Sequence, residues 1–383
     1  MKIVFVSNFI NHYQVPVSEE LYKLTSGNYY FIETQELPDS FKKGGFANFD
    51  KPYIVRAWEN RSLRKRALDL ALEADVLVAS GDRMALPYER KRLNAGKLTF
   101  EYAERPLKRG WINLFSPTNF LLQLNYHLFF YNKPFYKLCV SAFTANDMYL
   151  QHAFIDRCYK YGYFPPIPEC DPQPIIQSRS KDKLRIIWVA RFIPWKHPEM
   201  AVQLARKLED VGYNFEINMI GSGVMYDEIS KMIVSEGLTN KVHLLGNFPN
   251  AEVLNIMKKH DVFLFTSDQN EGWGVVLNEA MGQACCPIAS NKIGSVPFLL
   301  KDKFNGLIFE NNNVDSLFEK VKYLIESPDL MHSMSLEAYK TVSELWSSQN
   351  AAKRLYSLFE AKLRNESLHF KDGPLSVALP IAI

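Results

Sequence analysis

Val262-Phe263-Leu264-Phe265-Thr266 is followed, across a short polar stretch, by Glu271-Gly272-Trp273-Gly274-Val275-Val276-Leu277-Asn278-Glu279-Ala280-Met281. The first run is short, apolar and aromatic and stops at polar residues, the mark of a buried strand. The second places an acid and two glycines where that strand ends and a helix begins. In open α/β sheets ligands bind outside the carboxyl ends of strands, and the free N–H groups of a helix start favour anions. Glycine lets a ligand come close to the backbone. One strand-to-helix crossing therefore predicts both a layer type and a place for a ligand.

The same alternation repeats on either side. Leu184–Ala190, Phe215–Ile220 and Val242–Leu245 precede it and Cys286–Ala289 follows, separated by stretches long enough for helices, so a doubly wound parallel-sheet domain is predicted. Amphipathic stretches at Val314–Ile325, Met331–Leu345 and Ala351–Leu363 come after it. Before it, PPIPECDPQPIIQSRS holds five prolines and no period, which predicts an interdomain linker without helix. Further upstream the apolar runs Lys2–Ser7, Tyr29–Ile32, Val76–Ala79, Leu98–Phe100 and Leu138–Phe143 alternate with helix-like segments Val17–Leu24 and Leu63–Leu72, a second α/β layer. The expected organisation is an N-terminal domain over 1–165, a linker over 166–182, a second domain over 183–347, a helix over 348–365 crossing back to the first domain, and a weakly ordered tail over 366–383. No internal repeat or low-complexity tract is evident.

A chain of 383 residues exceeds what one core usually serves, in keeping with two domains. Its 47% apolar and 23% charged residues are those of a globular protein rather than a disordered one. Five cysteines, with Cys285 and Cys286 adjacent in an apolar run, form neither a disulfide framework nor a metal-binding spacing. The opening MKIVFVSNF turns polar too soon for a secretory leader, so cytoplasmic location is the expectation. No uninterrupted apolar run is long enough to span a bilayer. Eight histidines without ligand spacing and the absence of any Asp-x-Asp give no metal site, and there is no Walker-type phosphate loop.

Glu271 and Glu279 stand in the spacing of the E-x7-E signature, and this segment resembles that of the retaining GT-B glycosyltransferases, glycosyltransferase family 4 (glycosyl transferases group 1). The resemblance implies that Glu271 lies beside the donor sugar and that Glu279 hydrogen-bonds the nucleotide ribose. Val189-Ala190-Arg191-Phe192-Ile193-Pro194-Trp195-Lys196-His197 resembles the family's first strand and loop in the donor domain, with Arg191 and Lys196 at its Arg and Lys. A nucleoside diphosphate leaving group gains charge as the glycosidic bond breaks, and two fixed cations lower that barrier. Gly221-Ser222-Gly223 and Gly246-Asn247-Phe248 are further strand ends of the same template, and with Gly272, Trp273 and Gly274 they complete the expected donor-binding set. A surface acid and solvated loop cations are the plain alternative reading of each segment taken alone.

The N-terminal half departs from the family, which often has a Gly-Gly turn where this chain reads Asn8-Phe9-Ile10-Asn11-His12-Tyr13-Gln14. His12 is taken as a catalytic candidate, with Gln14, Glu101 and Glu104 on the acceptor side; a ligand-free capped loop and surface carboxylates are the alternatives. Residues 61–110 hold 12 Lys or Arg against 7 Asp or Glu. There Arg61, Arg64, Lys65, Arg66, Arg90, Lys91, Arg92, Lys108 and Arg109 lead to Trp111 and Phe115, and the region suits either an anionic membrane surface or plain solvated helix faces. Nucleic acid is not an expected partner.

The resemblance thus implies a GT-B α/β fold, two Rossmann-like doubly wound domains facing across a cleft. The reaction it implies is retaining transfer of a hexosyl unit from a UDP- or GDP-sugar, a co-substrate that needs no metal or other cofactor, to a hydroxyl of a glycan or lipid-linked glycan. Cell-surface polysaccharide biosynthesis at the inner membrane face is the expected setting. A sugar-nucleotide epimerase of the same fold, or a non-catalytic nucleotide-sugar-binding subunit, are the rival readings.

Overall fold

The computed structural model describes residues 1–38, 48–108, 110–179 and 182–381. The chain divides into two compact units, Met1–Pro166 with Trp346–Ile383, and Ile167–Leu345.

The first unit is built on seven parallel strands: β1 (Ile3–Ser7), β2 (Tyr29–Glu33), β3 (Ile54–Arg56), β4 (Val76–Ser80), β5 (Thr99–Ala103), β6 (Phe135–Cys139) and β7 (Cys158–Lys160). Their order is β3-β2-β1-β4-β5-β6-β7, so the winding reverses between β1 and β4. Ile3 pairs with both Tyr29 and Val76, and β1 and β4 are buried at every position, as fits strands covered on both faces. The long C-terminal helix Ser348–Leu363 packs on helix Val15–Leu24, and Phe359 meets Phe100 at 4.8 Å between ring centroids. β3 and β7, three residues each, are too short to show a period in the sequence.

The second unit carries β8 (Leu184–Val189), β9 (Phe215–Ile220), β10 (Val242–Gly246), β11 (Val262–Phe265), β12 (Cys286–Ser290) and β13 (Leu307–Phe309), all parallel in the order β10-β9-β8-β11-β12-β13. Its switch point lies between β8 and β11, where Ile186, Ile187 and Trp188 face Val262, Phe263 and Leu264. Ile186, Trp188, Ile217, Met219 and Leu264 form one core with Leu204 and Leu208 of helix Glu199–Val211 and Leu317, Val321 and Leu324 of helix Val314–Ile325. Each such side chain, once buried, contributes roughly 1.5–3 kcal/mol.

Three expectations are corrected. The proline-rich stretch does contain a helix, Gln173–Gln177, because Pro172 and Pro174 occupy its start, where a missing N–H costs nothing. Its neighbour Arg179 is buried and donates to the carbonyls of Lys258, Gln283 and Ala284, which pins the stretch to the second unit. Ser180 and Lys181 lie outside the described residues.

The tail is likewise packed: Leu375 N–H donates to Lys160 O and Ala378 N–H to Cys158 O, with an antiparallel bridge from Val377 to Tyr159. A single bridged stretch has no periodicity to read. Arg92, placed on the basic surface from sequence, is fully buried and donates to the carbonyls of Ala74, Asp75 and Leu98. Arg61, Arg64, Lys65, Arg66, Arg90 and Lys91 are exposed, Lys108 pairs with Glu104, and Arg109 lies outside the described residues.

Candidate functional site

At the switch point of the second sheet the loops after β8 and β11 meet. The indole N–H of Trp188, on β8, donates to Thr266 Oγ1 at 2.9 Å. That hydroxyl in turn donates to Lys196 O at 2.6 Å, and Asp268 N–H bonds Trp195 O. A buried hydroxyl between two loops thus fixes the turn that carries Lys196. His197 closes the turn in the left-handed region, φ 49°, with Nδ1 on Glu199 at 2.8 Å and Nε2 3.4 Å from Asp268. The hydrogen bond to Glu199, with Asp268 adding to it, raises the imidazole pKa above its ordinary value.

Lys196 and Glu271 form a buried ion pair, and Ser267 Oγ donates to the same carboxylate oxygen at 3.2 Å. The Lys196 ammonium also lies 4.3 Å from the centroid of the Trp195 ring. Arg191, exposed, places its guanidinium 5.8 Å from that ring, so both cations gather about one indole. Glu271 stands in the loop before helix Val276–Gly282 rather than on it, and Glu279 lies in that helix's first turn. Asn250, opening helix Asn250–Met257 after β10, donates its amide to Glu279 at 2.8 Å.

The glycines are explained by close approach. Gly221, φ 138°, would carry a Cβ 1.9 Å from Ala190 O, and Gly223, φ 154°, one 2.4 Å from Phe192 O. The backbone there zips against the loop after β8, with Phe192 N–H on Ser222 O and Met225 N–H on Phe192 O. Gly221 N–H bonds Gly246 O, and Asn247 donates to Ser222 Oγ at 2.8 Å, so the two glycine-bearing strand ends are joined. Gly274, φ 77°, lies against the Phe265 ring and Glu271. Gly272 is buried beside it, and Phe248 is half-buried after β10. Trp273 is fully buried, and its indole N–H donates to Asn278 Oδ1 at 2.9 Å.

Of the residues singled out in the first unit, His12 and Gln14 follow β1, Glu104 follows β5, and Glu101 lies in the middle of β5. Gln14 donates to Tyr102 OH at 2.9 Å and accepts from Asn11 N–H, which ties the loop after β1 to β5. The His12 ring lies 5.0 Å from that of Tyr13. Glu104 pairs with Lys108 and accepts from Tyr163 OH at 3.5 Å, beside a small cavity lined by Phe5, Tyr13, Gln14, Tyr102 and Tyr163. Glu101 is ion-paired with Lys137 and faces the buried Glu89, an internal charge cluster rather than a surface carboxylate. Sequence reasoning passed over Thr266, Ser267, Asp268 and Asn250, whose one shared signal is that each follows the carboxyl end of a strand.

Residues 172–341 match the model of the glycosyl transferases group 1 family. An uncharacterized glycosyltransferase of Methanocaldococcus jannaschii, MJ1178, is 29% identical over 175 residues, 45% of this chain and 47% of that protein. The phosphatidylinositol N-acetylglucosaminyltransferase GPI3 subunit of Saccharomyces cerevisiae is 25% identical over 207 residues, 53% of this chain and 44% of that protein. The chain thus matches about half the length of these curated relatives. Among solved structures, Anabaena Alr3699/HepE in complex with UDP and glucose superposes with a TM-score of 0.68 at 15% identity, covering 94% of this chain and all of that one. With two parallel-sheet Rossmann-like units, the chain has the GT-B α/β fold. The family match, 172–341, lies wholly within the second unit.

Proposed function

We propose that the protein moves a hexosyl unit from a UDP- or GDP-sugar to a hydroxyl of a glycan or lipid-linked glycan, with retention of anomeric configuration, in the building of cell-surface polysaccharide at an anionic membrane face. The observation that carries this reading is the gathering of Arg191, Lys196 and Glu271 at the β8/β11 switch point, where an α/β sheet offers its ligand crevice, with Glu279 in the first turn of the helix that follows. Support for a nucleotide-sugar donor also comes from the Anabaena neighbour, which was solved with UDP.

In this reading Arg191 and Lys196 take up the charge that develops on the diphosphate, in place of a metal ion. Lys196, paired with Glu271, exchanges that partner for phosphate oxygens and leaves Glu271 toward the sugar. Glu279, oriented by Asn250, receives the ribose hydroxyls, and the backbone of the 221–223 and 246–248 loops lies against phosphate and base. Fixed charges aimed at a leaving group are worth ~10²–10³ in rate for each group removed.

The test is sugar transfer or donor hydrolysis over a panel of UDP-, GDP- and ADP-sugars, with and without EDTA. The expected result is turnover of one donor class, insensitive to chelation, with the product anomer matching the donor's. Interconversion of the sugar nucleotide without transfer overturns the transferase reading. Activity abolished by EDTA and restored by magnesium or manganese overturns the metal-free one.

A further inference from the structure

The longest uncharged stretch of the first unit runs from Gly110 to Asn132, with a single His and no Asp, Glu, Lys or Arg. It folds as a 3-10 turn, Trp111–Phe115, the helix Pro117–Asn125 and a wide turn, Tyr126–Phe130. A segment of this composition is ordinarily core. Here Tyr126 and Phe130 are buried, while Ile112, Phe115, Phe120, Leu121, Leu128 and Phe129 are each 55–72% exposed. Phe120, Leu124 and Leu128 recur every four residues, so they share one face.

The inner side is anchored. Tyr126 OH accepts Phe154 N–H at 2.9 Å, and the His127 ring bonds Gln151 O at 3.1 Å. The neighbouring Tyr149 and Leu150, at the end of helix Thr144–Leu150, are about 60% exposed and extend the apolar surface. Single exposed apolar residues are ordinary, but a clustered set of this kind marks an interaction surface.

We propose that this face is a membrane-docking surface that lies in the headgroup region of an anionic bilayer. Charge selects the occupant. From Arg105 to Asn146 there is no Asp or Glu; Lys133 flanks the apolar segment on one side, and on the other Lys108 is paired with Glu104. Asp147, the next acid, is buried and paired with Arg105. An apolar face with a basic rim matches acyl chains below anionic headgroups. A second copy docked on the same face would set Lys133 against its own counterpart, with no carboxylate between Arg105 and Asn146 to answer it. Among the described residues no helix is long and apolar enough to cross the membrane, so the segment lies in the interface plane.

This surface adjoins the basic 61–110 stretch, of which Lys108 is part, and it deepens only the membrane-face part of the proposed function, on which it rests. The experiment is co-sedimentation of the full chain with phosphatidylcholine vesicles, with and without phosphatidylglycerol, and UDP and GDP binding is measured on the same preparations. Wild type is expected to sediment with phosphatidylglycerol vesicles and to be released by salt. Phe120→Ser/Phe129→Ser is expected to lose at least tenfold in vesicle affinity with its melting temperature and nucleotide binding unchanged. Leu121→Glu, on the same face, gives a second reading should the double variant fold poorly. Wild type that ignores anionic vesicles, variants that bind as well as wild type, or a wild-type dimer that the variants dissolve, each overturns the proposal, whatever the outcome of the nucleotide titration.

Discussion

Lys196 and Glu271, contributed by the loops after β8 and β11, form an ion pair that spans the switch point of the second sheet, and both residues are buried. Removing one partner of such a pair leaves the other charge without its counter-ion, at about 3 kcal/mol. Lys196→Met and Glu271→Gln are each expected to lower the stability of the second unit, and the double variant to lose less than their sum, with a coupling of roughly 0.5–3 kcal/mol. Denaturant unfolding of the four proteins reads this directly. Strict additivity would mean that the pair does not hold the loops.

Gly221 has no room for a side chain and a backbone angle that L-residues avoid. Gly221→Ala is expected to cost about 1–3 kcal/mol from the backbone alone, with the clash against Ala190 O added to it. Because the same turn lies against the loop after β8, nucleotide affinity should fall together with the melting temperature. A variant with wild-type stability would show that the turn relaxes freely.

Glu279 is oriented in the ground state by Asn250, whereas Glu271 stands beside the cation expected to meet the leaving group. Interactions made equally before and during reaction appear in KM, and those that strengthen in the transition state appear in kcat. Glu279→Gln should therefore raise the donor KM with kcat little changed, and Glu271→Gln should depress kcat. Asn250→Ala should follow Glu279→Gln, only more weakly. Donor-titrated initial rates decide it, and the reverse pattern would exchange the two roles.

His260 is buried, with Nδ1 on Ile256 O and Nε2 accepting from Asn218, and burial pushes its pKa down to about 4. A folded-state pKa below the unfolded value means that the stability is present above about pH 6.5 and is lost as pH falls toward 4, up to roughly 3 kcal/mol. His197 has the opposite sign: its raised pKa gives stability that is present below about pH 6.5 and is lost as pH rises through the folded value. His260→Gln should flatten the acid limb of the stability curve, and His197→Gln the neutral one. An unchanged acid limb in His260→Gln would remove that histidine from the account.

Five strands of the second unit were legible as apolar runs, two of which, β11 and β12, are buried at every position, and helix Val314–Ile325 matches its reading residue for residue. The three-residue edge strands β3, β7 and β13 hold too few residues to show alternation. Glu271 and Glu279 were singled out through their spacing and Arg191 and Lys196 through the family resemblance, whereas Thr266 and Asn250 act through isolated hydrogen bonds, two and one, that leave no pattern. Arg92 was read as a surface residue, since residue type alone does not reveal that a guanidinium has found its partners inside. Of the 110–132 stretch only Trp111 and Phe115 were singled out, because the exposure of the apolar residues beyond them leaves no mark in the sequence.

The central claim is that the second unit binds a nucleoside-diphosphate sugar through Arg191, Lys196 and Glu279. Calorimetric titration of UDP, GDP and ADP into wild type, Arg191→Ala and Glu279→Gln tests it most directly. The account predicts that one nucleotide binds wild type and that both variants weaken it at least tenfold while remaining folded. Binding of none of the three, or binding that neither variant disturbs, would contradict it.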